Sequence, residues 1–491
     1  MELSDKLSAI LDHLPFLYSE YVLVATMLLI LVFDLIWPER SVALKIIFLG
    51  GLVAELVVLS MHFDMRELLF NEMILVTNAA QLWKMLFAVA AMAVALMNIG
   101  ITAVKKEAEQ YMLILGTLLG AGFLVMSVNM LMVYFSIEVL SLCSYLLVMW
   151  SFDKMSSEAG LKYLLFGAAS SAVMLYGISL FYVETGTLSL MDSTFTNALF
   201  DAHPAMIITA SVLLLAGLLF KLAAAPLHIW APDVYTAAPT PIVAYFSIVP
   251  KLAGLAVLMQ VVLVLNLFGQ SPIAWPALVS IIAMLSMLFG NFSALWQSNV
   301  KRLMAYSSIA QTGFLLVGIA ALSELAYSAI YFYAIVYAIA NMGIFAIIHH
   351  FEVRHQFVEL KDYAGVVKTH PLMTVLLLIC MVSLTGLPPT AGFTGKLLLF
   401  SSVWDRYSFA QNDWLLYLLI FGLLNTVIAL FYYLKLPFFM IFRKADTHVS
   451  GSGNISIFQN FLLLILVVVL LLLFFRPDWL MGMINSISFT L

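Results

Sequence analysis

Long apolar runs alternate with short polar connections along the whole chain. A helix needs about 20 mostly apolar residues to cross a bilayer. About fourteen runs meet this length, at 17–37, 43–61, 80–100, 111–127, 130–150, 161–183, 205–224, 241–266, 274–296, 303–322, 326–349, 372–400, 414–442 and 458–475. The pattern predicts an all-α polytopic membrane protein with about 14 transmembrane helices. Because no polar stretch is long enough for a second fold, we predict one integral membrane domain over residues 1–491.

The composition is typical of a chain that is surrounded mainly by lipid. Hydrophobic residues make up 64% and charged residues 10%, against roughly 25% charged in soluble domains. The net charge of −5 and the lack of a basic stripe argue against nucleic acid as a partner. Cys143 and Cys380 lie too far apart in the sequence for the usual iron–sulfur or zinc spacing. Since no dinucleotide, P-loop or flavin motif is visible either, we expect no cofactor in this chain.

Lysine and arginine residues predict the orientation, because cytoplasmic loops carry most of them. Alternate loops hold twelve of these residues, whereas the opposite set holds four: Lys6, Arg66, Arg406 and Arg476. The first set is therefore predicted to be cytoplasmic. With an even number of helices, both termini then lie outside.

A faint internal repeat is present in the predicted helices. Residues 134–138, ending at Glu138, resemble residues 306–310, and Gly217-Leu218 before a proline break resembles Gly386-Leu387 before another. The implied unit has five helices, so its second copy must be inverted, as in many transporters. We predict three N-terminal helices in 1–110, repeats in 111–266 (helices 4–8) and 274–442 (helices 9–13), and a last helix at 458–475. Chance similarity between apolar segments is the alternative.

Several charged residues fall inside the apolar runs, where each costs roughly 2.5–3.5 kcal/mol at a helix centre. The lysines outside the loops are Lys84, Lys162, Lys221, Lys251, Lys396 and Lys435, and Glu138 lies near the middle of its run. Lys84, Lys162 and Lys435 are close enough to helix ends for their amines to snorkel to the interface, although Lys162 could also feed a proton path. Glu55 lies in the middle of the second run, and the sequence identifies no partner for it.

The three remaining lysines all lie beside helix-breaking residues. Pro226 follows Lys221 by five residues, Pro250 directly precedes Lys251, and Pro388 and Pro389 precede Lys396. Proline removes a backbone hydrogen bond, and irregular backbone at membrane depth is tolerated only inside protein or beside water. We therefore predict broken helices 7, 8 and 12 around a hydrated interior. Ordinary proline kinks are the alternative.

Buried lysines beside such breaks can carry protons. A nearby carboxylate stabilises the ammonium form of lysine, whereas burial favours the neutral amine. Lys221 would hold a proton while Glu138 is close and release it toward Lys251 when Glu138 is neutralised, with Lys396 as the onward station. The alternative is a Glu138–Lys221 ion pair that only pins two helices, which leaves the other two lysines unexplained.

Histidines are weaker candidates. His228 could relay protons because its ordinary pKa is near neutral, and an interfacial role is equally compatible with its position. His349, His350 and His355 cluster at the predicted cytoplasmic end of the eleventh helix. Haem ligands would face each other from positions in the middle of helices, so a polar helix end is the better interpretation of this cluster.

The residues around these lysines resemble a known family. KLAAAPLHIWAPDVYTAAPTP (221–241), continuing into SIVPK (247–251), is similar to the signature of the antiporter-like subunits of respiratory NADH:quinone oxidoreductase (complex I), in the form found in subunit N. KRLMAYSSI (301–309), GLPPTAGFTGK (386–396) and KYLLFG (162–167) support the resemblance, which spans roughly residues 110–440.

The resemblance implies a proton-translocating subunit without a redox centre, coupled to quinone reduction elsewhere in a complex. It implies that Glu138 and Lys221 form the functional pair, Lys251 is the central proton carrier and Lys396 is the exit-side lysine. Tyr337 and Asn341 offer no titratable relay, which leaves the step between Lys251 and Lys396 to water or hydroxyls.

The resemblance also implies a setting. FMN, iron–sulfur clusters and quinone would belong to partner subunits, among them the paralogous antiporter-like subunits, in a bacterial inner membrane. A D-type component of a multi-subunit Na⁺/H⁺ antiporter is the alternative function, and a purely structural membrane module is a third.

Overall fold

The computed structural model describes residues 11–38, 40–99, 106–266, 272–444 and 457–487. Most of these residues are helical. In the N-terminal half the helices are α1 (Tyr18–Ile36), α2 (Ser41–Met61), α3 (Asn78–Met97), α4 (Glu107–Met126), α5 (Met130–Val148), α6 (Lys154–Thr185), α7 (Ser193–Asp201), α8 (Pro204–Leu222), α9 (Trp230–Ala237) and α10 (Thr240–Asn266). The remaining helices are α11 (Trp275–Leu295), α12 (Val300–Ala321), α13 (Glu324–His355), α14 (Pro371–Thr385), α15 (Ala391–Ala410), α16 (Asp413–Tyr433), α17 (Lys435–Phe442), α18 (Ile457–Phe475) and α19 (Asp478–Asn485).

The predicted polytopic, all-helical architecture is confirmed. Within the described ranges, twelve helical segments are long and apolar enough to cross a membrane, and the pair formed by α18 and α19, bent by 79°, raises the number to 13. The predicted run at 372–400 is divided between α14, which is short for a span, and α15. The count of 14 stays a prediction.

Side chains that accept backbone hydrogen bonds define where several helices begin. Thr77 accepts a bond from the Ala80 amide at the start of α3, and Asp153 accepts one from Ser156 at the start of α6. Such caps satisfy amide groups that have no partner within the helix. The apolar run therefore determines that a helix forms, and the cap determines its first residue.

The predicted breaks have mixed outcomes. α8 ends at Leu222 and α9 begins at Trp230, as predicted for the seventh span, and residues 386–390 separate α14 from α15, as predicted for the twelfth. The predicted break in the eighth span is wrong, because α10 is one continuous helix with Pro250 inside it. A single proline removes one backbone hydrogen bond, and the remaining bonds of a 27-residue helix keep it continuous.

A small β-hairpin was not predicted. β1 (Glu67–Leu69) pairs antiparallel with β2 (Ile74–Val76), with Leu68 opposite Leu75. The connection between the second and third spans contains this hairpin. Strands of three residues are too short for their alternation to be distinguished from a loop by sequence.

The chain divides into two compact units. Among the described residues, the first unit contains those within 11–222 and 249–273, and the second contains those within 223–248 and 274–487. Within the first unit α6 packs closely on α8, since a Cβ added to Gly177 would lie 2.7 Å from the Leu214 nitrogen. Within the second, a Cβ on Gly290 of α11 would lie 2.5 Å from the Ala310 nitrogen of α12. Glycine at these positions lets two helix backbones approach each other.

Candidate functional site

Lys221 lies in the interior of the first unit, where 1% of its surface is exposed. It belongs to the last turn of α8, where the partial negative charge of a helix C-terminus favours a cation. Its Nζ donates a hydrogen bond to Ser141 Oγ at 2.9 Å and lies 5.8 Å from the centroid of the Tyr163 ring. The amine is therefore held by a hydroxyl and an aromatic face from two neighbouring helices.

Glu138 lies one turn before Ser141 on the same face of α5. Its Oε1 is buried and has no hydrogen-bond partner among the described residues. No Glu138–Lys221 ion pair is present in the described ranges, although the carboxylate acts electrostatically on the amine. Ser141 also donates to the Ile137 carbonyl at 2.6 Å, so its oxygen is oriented to accept from Lys221. The two predicted partners are close but separated, and the simple pinning ion pair is absent.

Lys251 is also buried, at 2% exposure. It lies in α10 directly after Pro250. One turn further, a Cβ added to Gly254 would lie 3.7 Å from the Lys221 Cβ. The face of α10 that carries Lys251 and Gly254 thus packs near the end of α8. Lys221 and Lys251 therefore occupy one region of the first unit.

Lys396 lies in the second unit and is 3% exposed. Its Nζ donates to the Thr385 carbonyl at 2.9 Å and lies 3.9 Å above the ring of Phe314. Thr385 is the last residue of α14, so the lysine satisfies a carbonyl that the helix itself cannot. Gly386 follows with a φ of +87°, and a Cβ there would lie 2.6 Å from the Lys396 Cδ. The break between α14 and α15 thus creates the place in which this amine is buried.

A polar network that sequence reasoning missed is attached to the same break. Gln311 of α12 donates to the Leu384 carbonyl at 2.9 Å and to the Tyr433 hydroxyl at 2.7 Å. The Tyr333 hydroxyl donates to its Oε1, and the Tyr433 and Ser307 hydroxyls are 2.6 Å apart. All of these side chains are buried. Gln311 carries no charge, and its position in an apolar helix was the only signal in the sequence.

Tyr337 belongs to the second unit as well. Its hydroxyl donates to the Ser247 carbonyl at 2.9 Å, and Ser247 lies one turn before Lys251 in α10. Ser308 of α12 donates to the Tyr235 hydroxyl at 3.3 Å. Buried hydroxyl groups are therefore present in the second unit.

The secondary candidates, His228 and Lys162, make contacts of their own. His228 follows the end of α8, is half-buried and stacks on Phe289 of α11 at 5.6 Å between ring centroids. Lys162 is 45% exposed and pairs with Glu158, one turn earlier in its own helix, at 2.9 Å. These contacts link His228 to α11 in the second unit and place Lys162 on the exposed side of α6 in the first.

Two lysines that were expected to snorkel are instead buried or engaged. Lys84 is 5% exposed and pairs with Glu20 at 2.5 Å, a partner 64 residues earlier in the chain. Lys435 donates to the Leu295 and Gln297 carbonyls, both at 3.0 Å, and so stabilises the end of α11. In both cases hydrogen-bond acceptors from another helix replace water, which makes snorkelling unnecessary.

A fourth histidine, His370, lies beside the histidines at the end of α13. His370 packs against His350 and His355 at ring-centroid distances of 6.0 and 5.7 Å. Burial, and secondarily the charge of His355, lowers the pKa of His370. Over the described ranges, no group of three His, Cys, Asp or Glu residues is placed to hold a metal ion.

Lys221 and Lys396, each buried beside a break between helices, and Lys251, buried in the continuous helix α10, characterise a polytopic helical membrane protein with charged groups in its interior. The family model for the transmembrane region of NADH:quinone oxidoreductase and Mrp antiporter subunits matches residues 127–429, and the chain belongs to this family.

Two relatives show which subunits of this family the chain resembles in sequence. The chain is 36% identical to NAD(P)H-quinone oxidoreductase subunit 2 of the Mesostigma viride chloroplast, over 91% of this chain and 88% of that one. It is 35% identical to NADH-quinone oxidoreductase subunit N of Chlorobium chlorochromatii, over 89% and 86%.

Two solved structures have a similar fold. A chain of respiratory complex I from Thermus thermophilus with bound aureothin is 28% identical, with a TM-score of 0.79 over 94% of this chain and 98% of that one. A chain of the Mrp complex from Dietzia sp. is 18% identical, with a TM-score of 0.80 over 96% and 97%, and that likeness concerns the fold alone.

Proposed function

We propose that this chain is the proton-translocating, antiporter-like subunit N of an NADH:quinone oxidoreductase. The observation that carries the proposal is Lys221, fully enclosed at the end of α8 with Ser141 and the Glu138 charge beside it. A lysine in a protein interior is costly, and a module that only holds an assembly together has no reason to bear that cost. Relatives at 34–36% identity bear the names of quinone oxidoreductase subunits.

The proposed path begins at the Glu138–Lys221 pair. The Glu138 carboxylate stabilises the Lys221 ammonium through space, and Ser141 keeps the amine in position. When Glu138 is neutralised or its charge is drawn away, the low-dielectric surroundings favour the neutral amine. Lys221 then gives its proton to the neutral amine of Lys251. No bond other than N–H is broken or formed.

Lys396 is the proposed exit-side station. The Thr385 carbonyl holds its amine, and the buried hydroxyls of Tyr333 and Tyr433, joined through Gln311, supply neighbouring groups that can exchange hydrogen bonds with water. Hydroxyls of this kind carry protons between titratable groups without changing charge themselves. Such groups titrate as a coupled set.

The proposed architecture is two inverted five-helix repeats. The breaks after Leu222 and Thr385 occur in the seventh and twelfth predicted spans, which are equivalent positions in the two repeats. Each break lies beside a buried lysine, Lys221 in one repeat and Lys396 in the other. This correspondence supports the repeat, as does the midplane location of broken helices in transporters.

The proposed setting is a bacterial inner membrane with both termini on the periplasmic side, following the distribution of lysine and arginine. The partners are the other membrane and peripheral subunits of the complex, including the paralogous antiporter-like subunits. The redox centres belong to those partners. A D-type role in a multi-subunit Na⁺/H⁺ antiporter is less well supported, because the Mrp complex chain shares 18% identity.

The test uses the assembled complex in inverted membrane vesicles. Lys221→Ala and Glu138→Gln are expected to reduce the number of protons pumped per NADH oxidised several-fold, with the complex still assembled on a native gel. Lys361→Ala is the control, since Lys361 is 73% exposed and pairs with Glu359 at the surface. Normal pumping in both test variants would overturn the proposal, and co-purification with antiporter subunits alone would favour the Na⁺/H⁺ alternative.

A further inference from the structure

A second buried ionic cluster lies in the first unit, among residues outside the proposed proton path. Lys84 of α3 donates to Glu20 Oε1 at 2.5 Å and to Ser19 Oγ at 2.6 Å, both on α1. Glu20 and Lys84 are each 5% exposed. Helix α4 closes this side, because a Cβ on Gly122 would lie 3.6 Å from Lys84 and 3.7 Å from Glu20. The pair is thus enclosed by three helices.

A second carboxyl group belongs to the same cluster. Glu55 of α2 is 2% exposed, and the charges of Lys84 and Glu20 both act on it. Its Oε2 is buried and has no hydrogen-bond partner among the described residues. A carboxylate without partners in a membrane interior is among the most expensive groups a protein can bury.

The charges of the cluster do not balance when all three groups are ionised. One ammonium faces two carboxylates, which leaves one net negative charge in a low-dielectric interior. A buried charge that lacks an opposite partner is strongly unfavourable. One proton, carried by either carboxyl group, restores neutrality.

A cavity leads to this cluster from the side of the membrane where α1 begins and α2 ends. Its lining includes Tyr18, Ser19, Glu20, His62, Gln81 and Lys84. Tyr18 is 38% exposed, whereas Glu20 and Lys84 are buried, so the cavity runs from the surface inward to the pair. Gln81 donates to the His62 carbonyl at 2.6 Å, and polar groups therefore line the way.

The titratable groups that face the cluster come from three helices. α1 contributes Glu20 and Tyr18, α2 contributes Glu55 and is followed directly by His62, and α3 contributes Lys84. The side of α4 presents Met126, and the hairpin presents Val76, neither of which titrates. His62, the residue after α2, donates through Nδ1 to the Val58 carbonyl of that helix, 2.9 Å away.

We propose that Glu20, Glu55 and Lys84 form a second proton-binding site, which holds one exchangeable proton on its two carboxyl groups and is reached through the cavity. Water in the cavity delivers or removes the proton at the Glu20 carboxylate, which lines the cavity, and Lys84 stabilises the ionised form of whichever carboxyl group lacks the proton. The site needs neither Lys221 nor Lys251, so it stands or falls independently of the proposed path.

The test is the infrared carbonyl signal of protonated carboxyl groups in the purified complex, compared between variants at neutral pH and in H₂O and D₂O. Neutrality around Lys84 requires one protonated carboxyl in the native cluster. Glu55→Gln and Glu20→Gln are each expected to remove this signal, since the remaining carboxylate pairs with Lys84. Lys84→Met is expected to increase the signal to that of two protonated carboxyl groups.

Glu107→Gln is the matched control. Glu107 is also buried in the first unit and pairs with Lys45 at 3.0 Å. Because one ammonium balances one carboxylate there, Glu107 is ionised and gives no carbonyl signal. Replacing Glu107 by glutamine therefore leaves the infrared signal unchanged. Retention of the full signal in both glutamine variants overturns the proposal, even if Lys84→Met fails to assemble. A signal that does not shift in D₂O overturns the route through the cavity.

Discussion

Replacing Gln311 by leucine is the most direct test of the polar network beside Lys396. The native amide makes three hydrogen bonds, donating to the Leu384 carbonyl and the Tyr433 hydroxyl and accepting from Tyr333. Leucine has a similar volume, so packing changes little while all three bonds are lost. The Tyr433 hydroxyl keeps its bond to Ser307.

The hydrogen bonds lost in Gln311→Leu lower the free energy of unfolding. The Leu384 carbonyl and the Tyr333 hydroxyl are left without this partner in a fully buried site. A stranded buried group costs about 1–3 kcal/mol in soluble proteins, and side-chain hydrogen bonds between membrane helices average about 0.6 kcal/mol. Two stranded groups therefore cost about 1–6 kcal/mol of unfolding free energy.

Two assays follow for this variant: detergent-induced unfolding, which reports stability, and proton pumping per NADH oxidised, which we expect to fall. Gln297→Leu is the control, because Gln297, two residues after α11, is half-buried and its amide donates at 2.9 Å to the Ser293 carbonyl in the last turn of that helix. If Gln311→Leu matched Gln297→Leu in both assays, the network would contribute neither stability nor a proton route.

Three further outcomes are expected. Ser141→Ala should lower pumping less than Lys221→Ala does, because it removes one charge-assisted hydrogen bond of about 1.5–3 kcal/mol but leaves the amine, and equal losses would contradict this ranking. Gly177→Val should destabilise the packing of α6 against α8 by about 1–3 kcal/mol, which assembly on a native gel would report. Gly50→Ala is the control and should assemble normally, because no atom lies within 4 Å of a Cβ added there. Burial lowers the pKa of His370, so its neutral form is favoured in the folded state; its contribution to stability is present above about pH 6.5 and decreases as the pH falls below that value. A His370→Gln variant should flatten this part of a stability–pH curve, and an unchanged curve would contradict the assignment.

Sequence reasoning succeeded where the signal is local. The break after Leu222 and the break before Lys396 follow from proline and glycine within a few residues of each lysine. It failed at Pro250, since one proline does not by itself end a helix. It also failed at Lys84, whose partner Glu20 lies on another helix.

The candidate site divides in the same way. The sequence identifies Glu138, Lys221, Lys251 and Lys396 because a charge in an apolar run is conspicuous. Gln311 was missed, because a neutral amide in a helix carries no comparable signal. Its three buried partners come from two other helices and the end of a third.

The amino-acid sequence alone determined that this protein lies in a membrane, which long apolar segments form helices, and which ionisable groups lie within those segments. These are properties of a few neighbouring residues, because hydropathy and backbone preference act over a turn or a span. Only the tertiary structure decided that Ser141 accepts a hydrogen bond from Lys221, and that Glu20, Glu55 and Lys84 share one cluster. A buried charge is stabilised by whichever polar atom packing brings within about 3 Å, and helices distant in the chain supply those atoms.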